Sequence, residues 1–246
     1  MYYRKEMSAA YADCDVRNLL KPAAMLRYMQ QTSSEQLDSI GQPVGWLYER
    51  GMVFLLTASN ICIHRAPVSG EALSIGTAAI PPKGVRFVRE FVIDTPGGER
   101  LVSCLSHWVL VDTQNHKILR PSAYPRTIDW QEPGLDPALC GSVIPKGRLA
   151  GAECRVQERT MRYSHLDINA HVNNSMYADF VCDALPFAEL AGRGLSVLVL
   201  NFQKEARQGD VLRVECAQIS PGEYKVTGTN AGNACFEALA RLGAQE

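Results

Sequence analysis

Tyr11-Ala-Asp-Cys-Asp15-Val-Arg17 and Tyr163-Ser-His-Leu-Asp167-Ile-Asn169 are two versions of one phrase, set 152 residues apart. Each version opens a helix-like segment. In the first, Pro22 suits the opening turn of a helix, because its missing N–H has no intrahelical partner to lose there. That helix carries Met25, Leu26, Met29 and Leu37 and stops at Gly41. In the second, Asn173 or Asn174 serves as N-cap, and Tyr177, Phe180, Val181, Ala184 and Leu185 form one apolar face before Pro186.

After each helix come runs with strand character, at 52–64, 71–80, 85–94 and 100–112, then at 194–205, 210–219, 223–229 and 234–241. Val85, Phe87, Phe91 and Ile93 alternate with Arg86 and Glu90, the period of a strand with one face covered. Gly70-Glu71 and Gly209-Asp210 read as the same hairpin in the two copies. Each half is therefore strand, helix, then four antiparallel strands, an α+β layer of one long helix against a curled sheet. The expected division is a first unit over residues 1–116, a proline-rich linker over 117–152 and a second unit over 153–246.

Composition narrows the class of function. Of the 246 residues, 25 are basic and 26 acidic, for a formal net charge of −1, and the charges are scattered. A nucleic-acid partner is not expected, since neutralising phosphates takes a concentrated basic face. The eight cysteines include no C-x-x-C pair, so neither a metal site nor a redox motif is expected. Cys104 and Cys216 fall on the apolar phase of strands, where a thiol acts as a small hydrophobe. With no apolar stretch long enough for a bilayer and no signal-like start, the chain reads as cytoplasmic, with no membrane partner.

The two copies diverge where strand gives way to helix. The second reads Asp167-Ile-Asn169-Ala-His171-Val-Asn173-Asn174; the matching first-copy positions are Asp15, Arg17, Leu19, Lys21 and Pro22. Only the aspartate persists, so it is the one a folding requirement explains. Asn169, His171, Asn173 and Asn174 are dispensable to the fold. A loop entering a helix offers free N–H groups and the positive end of the helix dipole, which can hold a thioester carbonyl and its oxyanion. His171 can orient or deprotonate a water or serve the departing thiolate, and Asn169 can hold substrate. The competing explanation is architectural, because Asx-rich segments before helices are usually caps and turns.

Arg162-Tyr-Ser-His-Leu-Asp167-Ile-Asn169-Ala-His171-Val-Asn173-Asn174-Ser-Met-Tyr177 resembles the signature of the plant and bacterial acyl-acyl-carrier-protein thioesterases. Val109-Leu-Val-Asp112 with Arg120-Pro121, and Asn201-Phe-Gln-Lys-Glu205, extend the resemblance along most of the chain. It implies a tandem (double) hotdog fold whose second domain is catalytic, through Asp167, Asn169, His171 and Glu205, and whose first domain holds the acyl chain. Glu205 would be the base for a hydrolytic water. Many members carry a cysteine after that glutamate; here Ala206 stands there, which directs the chemistry to water or a carboxylate. The implied partner is acyl carrier protein bearing a fatty acyl chain, with no cofactor, and a homodimer is left open.

Met25, Met29, Trp46, Phe54, Leu56 and Trp108 are candidate acyl-lining residues, and Arg86 with Arg89, or Lys117 with Arg120, a candidate dock for an acidic partner. Core packing and a solvated face are the plainer explanations for each. Three other functions fit parts of the pattern: an acyl-coenzyme A thioesterase on the same fold, a non-catalytic acyl-binding module, and a dehydratase acting on 3-hydroxyacyl chains.

Overall fold

A computed structural model describes residues 2–43, 45–136, 144–146 and 154–244. The first half runs β1 (Tyr3–Ser8), α1 (Pro22–Ser39), β2 (Met52–Ile63), β3 (Ala72–Lys83), β4 (Arg86–Asp94) and β5 (Arg100–Asp112), with the short β6 (Ile118–Leu119) pairing on β5. The second runs β7 (Cys154–Thr160), α2 (Met176–Ala184), α3 (Phe187–Arg193), β8 (Leu195–Phe202), β9 (Val211–Ser220), β10 (Glu223–Asn230) and β11 (Asn233–Leu242). The strands form one antiparallel sheet in the order β1-β3-β4-β5-β2-β8-β11-β10-β9-β7, a palindrome about the β2/β8 pair. Asn60 pairs with Val199, its own counterpart at the spacing of 139 that relates Gly70 to Gly209, so a pseudo-twofold axis passes through that pair. Each half curls its sheet around a helix, and this is the tandem hotdog architecture.

Local chemistry sets the helices. Pro22 stands at the start of α1, and Gly41 follows its end with φ +70, where Gln42 N–H donates to Leu37 O and Gly41 N–H to Asp38 O. These two bonds satisfy the last carbonyls of α1 in a left-handed cap. The second helix begins at Met176, two to three residues beyond the expected cap, with Ser175 at the N-cap; Asn173 Oδ1 instead accepts the Ser175 N–H at 2.9 Å, in the turn that leads into the helix. Tyr177, Phe180, Val181, Ala184 and Leu185 are all buried, as the apolar phase predicts. Pro186 ends α2, and α3, which the sequence reading does not include, starts directly after it.

Two other expectations change. The turns at Gly70 and Gly209 are not hairpins, because β4 and β5 lie between β2 and β3, and β10 and β11 between β8 and β9. They are crossovers, held by Gly70 N–H on Ala9 O and Gly209 N–H on Met161 O. Glu90, read as the solvent-facing phase of β4, is fully buried. Residues 130–135 run across the outer face of that strand, and the carboxylate accepts the Tyr2 hydroxyl and the N–H groups of Gly134 (3.0 Å) and Leu135 (3.1 Å). Three donors on one buried acid satisfy the requirement that a charge out of water be hydrogen-bonded. The linker expected over 117–152 is described only at 117–136 and 144–146; Ile144 is buried beside Val197, Val199 and Leu239.

The inner face of the second half is filled. Phe236 packs at 5.0 Å from the Tyr177 ring, and its own ring lies over Gly228 on β10. A Cβ at 228 would sit 2.0 Å from the Phe236 ring, so glycine here makes room for a core aromatic rather than a turn. Gly228→Ala is therefore expected to cost about 1–3 kcal/mol by overpacking. Chemical denaturation of the purified protein measures it, and an unchanged midpoint would contradict this account of the core.

Candidate active site

The phrase that repeats in sequence repeats in geometry. Tyr11–Asp13 and Tyr163–His165 each form one 3-10 turn, and Asn18 and Ala170, in matching positions, both hold positive φ, +62 and +59. Asp15 Oδ1 accepts the Arg17 N–H, and Asp167 Oδ1 the Asn169 N–H, both at 2.8 Å. Asp15 N–H donates to Leu19 O, and Asp167 N–H to His171 O, again both at 2.8 Å. The shared aspartate thus builds the turn in both halves, the role its persistence predicts.

The turn then docks on the segment after the central strand. Leu20 N–H donates to Pro67 O, and Val172 N–H to Ala206 O, each at 2.8 Å. This contact places His171 beside Glu205, with Nε2 3.1 Å from Oε2. Arg207 Nη2 approaches the same oxygen at 3.9 Å. In the first copy the two matching positions are Leu19 and Ala66, both apolar. Two chain segments that the fold brings together in each half therefore carry a histidine–glutamate contact in only one of them.

Of the four expected site residues, the fold brings His171 and Glu205 into contact. Asp167 lies on the same loop, its carboxylate turned to the loop backbone, and Asn169 is exposed at the tip. Neither makes a side-chain hydrogen bond with the pair among the described residues. Glu205, with its side chain 48% exposed, keeps one face to solvent. Ala206 is fully buried, so a side chain at that position points into the core and not toward the pair.

Asn174 was read with the loop but not as a site residue. It lines a narrow cleft with Ser175, Phe202 and a wall from the other half: Leu26, Met29, Leu56, Ser59, Phe91, Cys104 and Trp108. Among the described residues, neither its side-chain amide nor its backbone N–H has a hydrogen-bond partner. It stands two residues before α2, where the helix dipole adds positive potential. Beyond Trp108 the space opens into a cavity of about 600 Å³ along the far half of α1, lined by Leu37, Ile40, Phe54, Phe87, Tyr124 and Trp130 among others. Of the expected acyl-lining residues, Met29, Leu56, Phe54 and Trp108 border these spaces. Met25 lies in the core, and Trp46 packs at a tilt against Tyr124 with Arg50 and Arg126 over its ring. Among the described residues no group of three or more His, Cys, Asp or Glu side chains is arranged to hold a metal ion, and no helix is long and apolar enough to cross a membrane.

Comparison with known proteins matches both halves of the chain. Residues 1–122 match the Acyl-ACP thioesterase N-terminal domain, and residues 150–235 the Acyl-ACP thioesterase C-terminal domain. A chloroplastic acyl-[acyl-carrier-protein] hydrolase of Cuphea viscosissima is 26% identical over 183 residues, 72% of this chain and 44% of that protein. The chloroplastic dodecanoyl-[acyl-carrier-protein] hydrolase of Umbellularia californica is 24% identical over 241 residues, covering 91% and 59%. The chain spans about half the length of the curated relatives it matches. Among solved structures, an acyl-ACP thioesterase from Bacteroides thetaiotaomicron superposes with a TM-score of 0.83 at 17% identity, over 98% of this chain and 97% of that one. The 12:0-ACP thioesterase from Umbellularia californica gives 0.82 at 17% identity, over 98% and 96%. With both halves matched in order, the chain belongs to the acyl-ACP thioesterase family.

Proposed function

We propose that this protein hydrolyses the thioester between a fatty acyl chain and acyl carrier protein, releasing the free fatty acid. The observation that carries the proposal is the His171–Glu205 pair, absent from the first copy, on a loop that three residues later supplies Asn174 to a cleft walled by the other half. One chain supplies both walls. The second half, from residue 153, is the catalytic unit, and the first, up to residue 116, holds the acyl chain in the space along α1.

The chemistry follows from the placement. The thioester carbonyl lies against Asn174 and the amino end of α2, whose N–H groups stabilise the oxyanion as it forms. Glu205 takes a proton from water as the water oxygen attacks the carbonyl carbon. His171 fixes the carboxylate through Nε2–H, which leaves Nδ1 as an acceptor toward water. Collapse of the tetrahedral intermediate breaks the C–S bond, and the proton on Glu205 passes to the departing thiolate. The products are a carboxylic acid and the carrier's free thiol. Asn169, exposed at the loop tip, meets the substrate's arm, and Asp167 holds the loop that carries His171. The buried, reduced cysteines Cys104, Cys216 and Cys235 suit a reducing, cytoplasmic setting.

Purified protein is expected to release thiol from acyl-carrier-protein thioesters, with higher kcat/KM than from the matching coenzyme A thioesters. Equal turnover of both would return the protein to the acyl-coenzyme A reading. Acyl binding without any thiol release would make it a binding module.

A further inference from the structure

The cleft at Asn174 has a twin. A cavity of about 1060 Å³ lies between the first copy's loop and the helices of the second half. Its lining repeats that of the cleft under the two spacings that relate the halves. At a spacing of 152, Pro22 stands for Asn174 and Cys182 for Gln30; at 139, Ile63 stands for Phe202 and Leu195 for Leu56. The pseudo-twofold axis through β2 and β8 thus carries one space onto the other. The catalytic groups do not repeat. Leu19 and Ala66 line the cavity at the positions of His171 and Glu205, and Pro22 has no N–H to offer an oxyanion.

Positive charge takes their place. Arg17 stands at the position of Asn169 and Lys21 at that of Asn173, and both line the cavity. Neither side chain has a hydrogen bond or an ion pair among the described residues. Arg17 crosses to the end of α3 in the other half, where a Cβ on Gly194 would lie 2.1 Å from its Nη1. Arg89, by contrast, which the sequence offers as part of a dock for an acidic partner, points inward, its Nη1 donating to Gln36 Oε1 and to Thr77 Oγ1 at 3.1 Å.

Most other charged groups at the cavity are committed. Arg65 forks onto Glu71 and Glu99, Arg193 donates to Gly243 O, and Asp183 accepts Arg159. Asp15 accepts the N–H groups of Arg17 and Leu19, and His64 meets Ser103 Oγ at 3.0 Å. Asp179 on α2 is the uncommitted acid; burial holds its carboxyl above the usual range, against the pull of Arg27 and Lys21. Across from the loop, Pro186 ends α2, and α3 opens with Phe187 on the cavity wall, its residue 72% exposed.

We propose that this cavity binds a phosphopantetheine arm, the group that carrier proteins and coenzyme A share, and holds it without cleaving it. The phosphate rests on Arg17 and Lys21, the arm's two methyl groups lie against Phe187, and its chain follows the path that the substrate's arm takes in the catalytic copy. Two cations with no partner of their own are suited to a phosphate through charge-assisted hydrogen bonds. The catalytic copy meets the same arm with neutral asparagines, which suits a substrate that has to leave. The identity of the arm rests on the hydrolase reading, but its test needs no turnover.

Calorimetric titration compares 4′-phosphopantetheine with pantetheine, which lacks the phosphate, and with inorganic phosphate, on wild type and on Arg17→Gln/Lys21→Gln. Wild type is expected to bind the phosphorylated arm at least about tenfold more tightly than either fragment, and the double variant to lose that margin. The variant's kcat for a carrier-protein thioester should match that of wild type, which shows that it is folded and that the catalytic copy is not what the titration reads. Inorganic phosphate bound as tightly as the whole arm would mean an anion site only, and overturns the proposal. A margin that survives in the double variant overturns it as well. Coenzyme A and the holo-carrier protein then separate the two sources. Two holo-carriers per wild-type chain and one per double variant make the carrier the occupant; loss of coenzyme A binding alone makes it the coenzyme. Binding of the arm that depends on Arg17 and Lys21, in a protein that hydrolyses no thioester, would sink the hydrolase reading and leave this site standing.

Discussion

Glu205→Gln is expected to lower kcat for a carrier-protein thioester by about 10²–10⁴-fold, the range that a positioned general base contributes. The change keeps the shape and the acceptor oxygen that faces His171 Nε2, and removes the capacity to take a proton. Stability should hold, because the side chain is 48% exposed and, among the described residues, pairs with His171 and Arg207 only. The second acid supplies the control. Asp167→Asn keeps an Oδ1 that can accept the Asn169 N–H, the bond Asp167 shares with Asp15 in the non-catalytic copy. If Asp167 serves the loop, this variant stays within a few-fold of wild type while Asp167→Ala loses both loop and rate. Single-turnover thiol release with all three variants reads the outcome. Glu205→Gln within tenfold of wild type, with Asp167→Asn crippled, would move the base to Asp167.

How much of this was legible beforehand varies with the range of the interaction involved. The ends of α1 were readable, because Pro22 and Gly41 act within one turn of the backbone they terminate. The turns at Gly70 and Gly209 have local hairpin chemistry, but whether the next strand pairs with the last is decided by strands 20 or more residues away, so both crossovers were misread. Comparing the copies singled out Asn169, His171, Asn173 and Asn174 together, since a site on one of two equivalent loops shows as divergence, but so does a local turn such as that of Asn173. Glu205 came only through the family resemblance. The spacing that equates Gly70 with Gly209 also sets Glu205 against Ala66, and would have exposed the same asymmetry. Arg89 was open to reading as well: the alternation of Phe87 and Phe91 places it inward, against the habit of assigning arginine to the surface. Glu90 was not, because its burial depends on residues 130–135, which carry no periodicity.

Asn173 and Asn174 are adjacent and chemically identical, and their substitution should separate architecture from chemistry. Asn173 Oδ1 accepts the Ser175 N–H at 2.9 Å and its Oγ at 2.8 Å, so Asn173→Ala removes the turn that leads into α2 and is expected to cost about 1 kcal/mol of stability. Its effect on rate comes only through a looser start to α2. Asn174→Ala removes an amide with no hydrogen-bond partner among the described residues, so stability should be unchanged. What it loses is a donor toward the carbonyl oxygen, and kcat should fall by about 10²–10³, with KM little altered, because the bond strengthens as charge develops. Paired denaturation curves and steady-state kinetics on the two alanine variants decide the matter. The prediction for Asn174 fails if its variant is destabilised as much as that of Asn173 while retaining full kcat. The oxyanion would then rest on the backbone of α2 alone, since the first copy, with Pro22 in the place of Asn174, has no N–H to offer there.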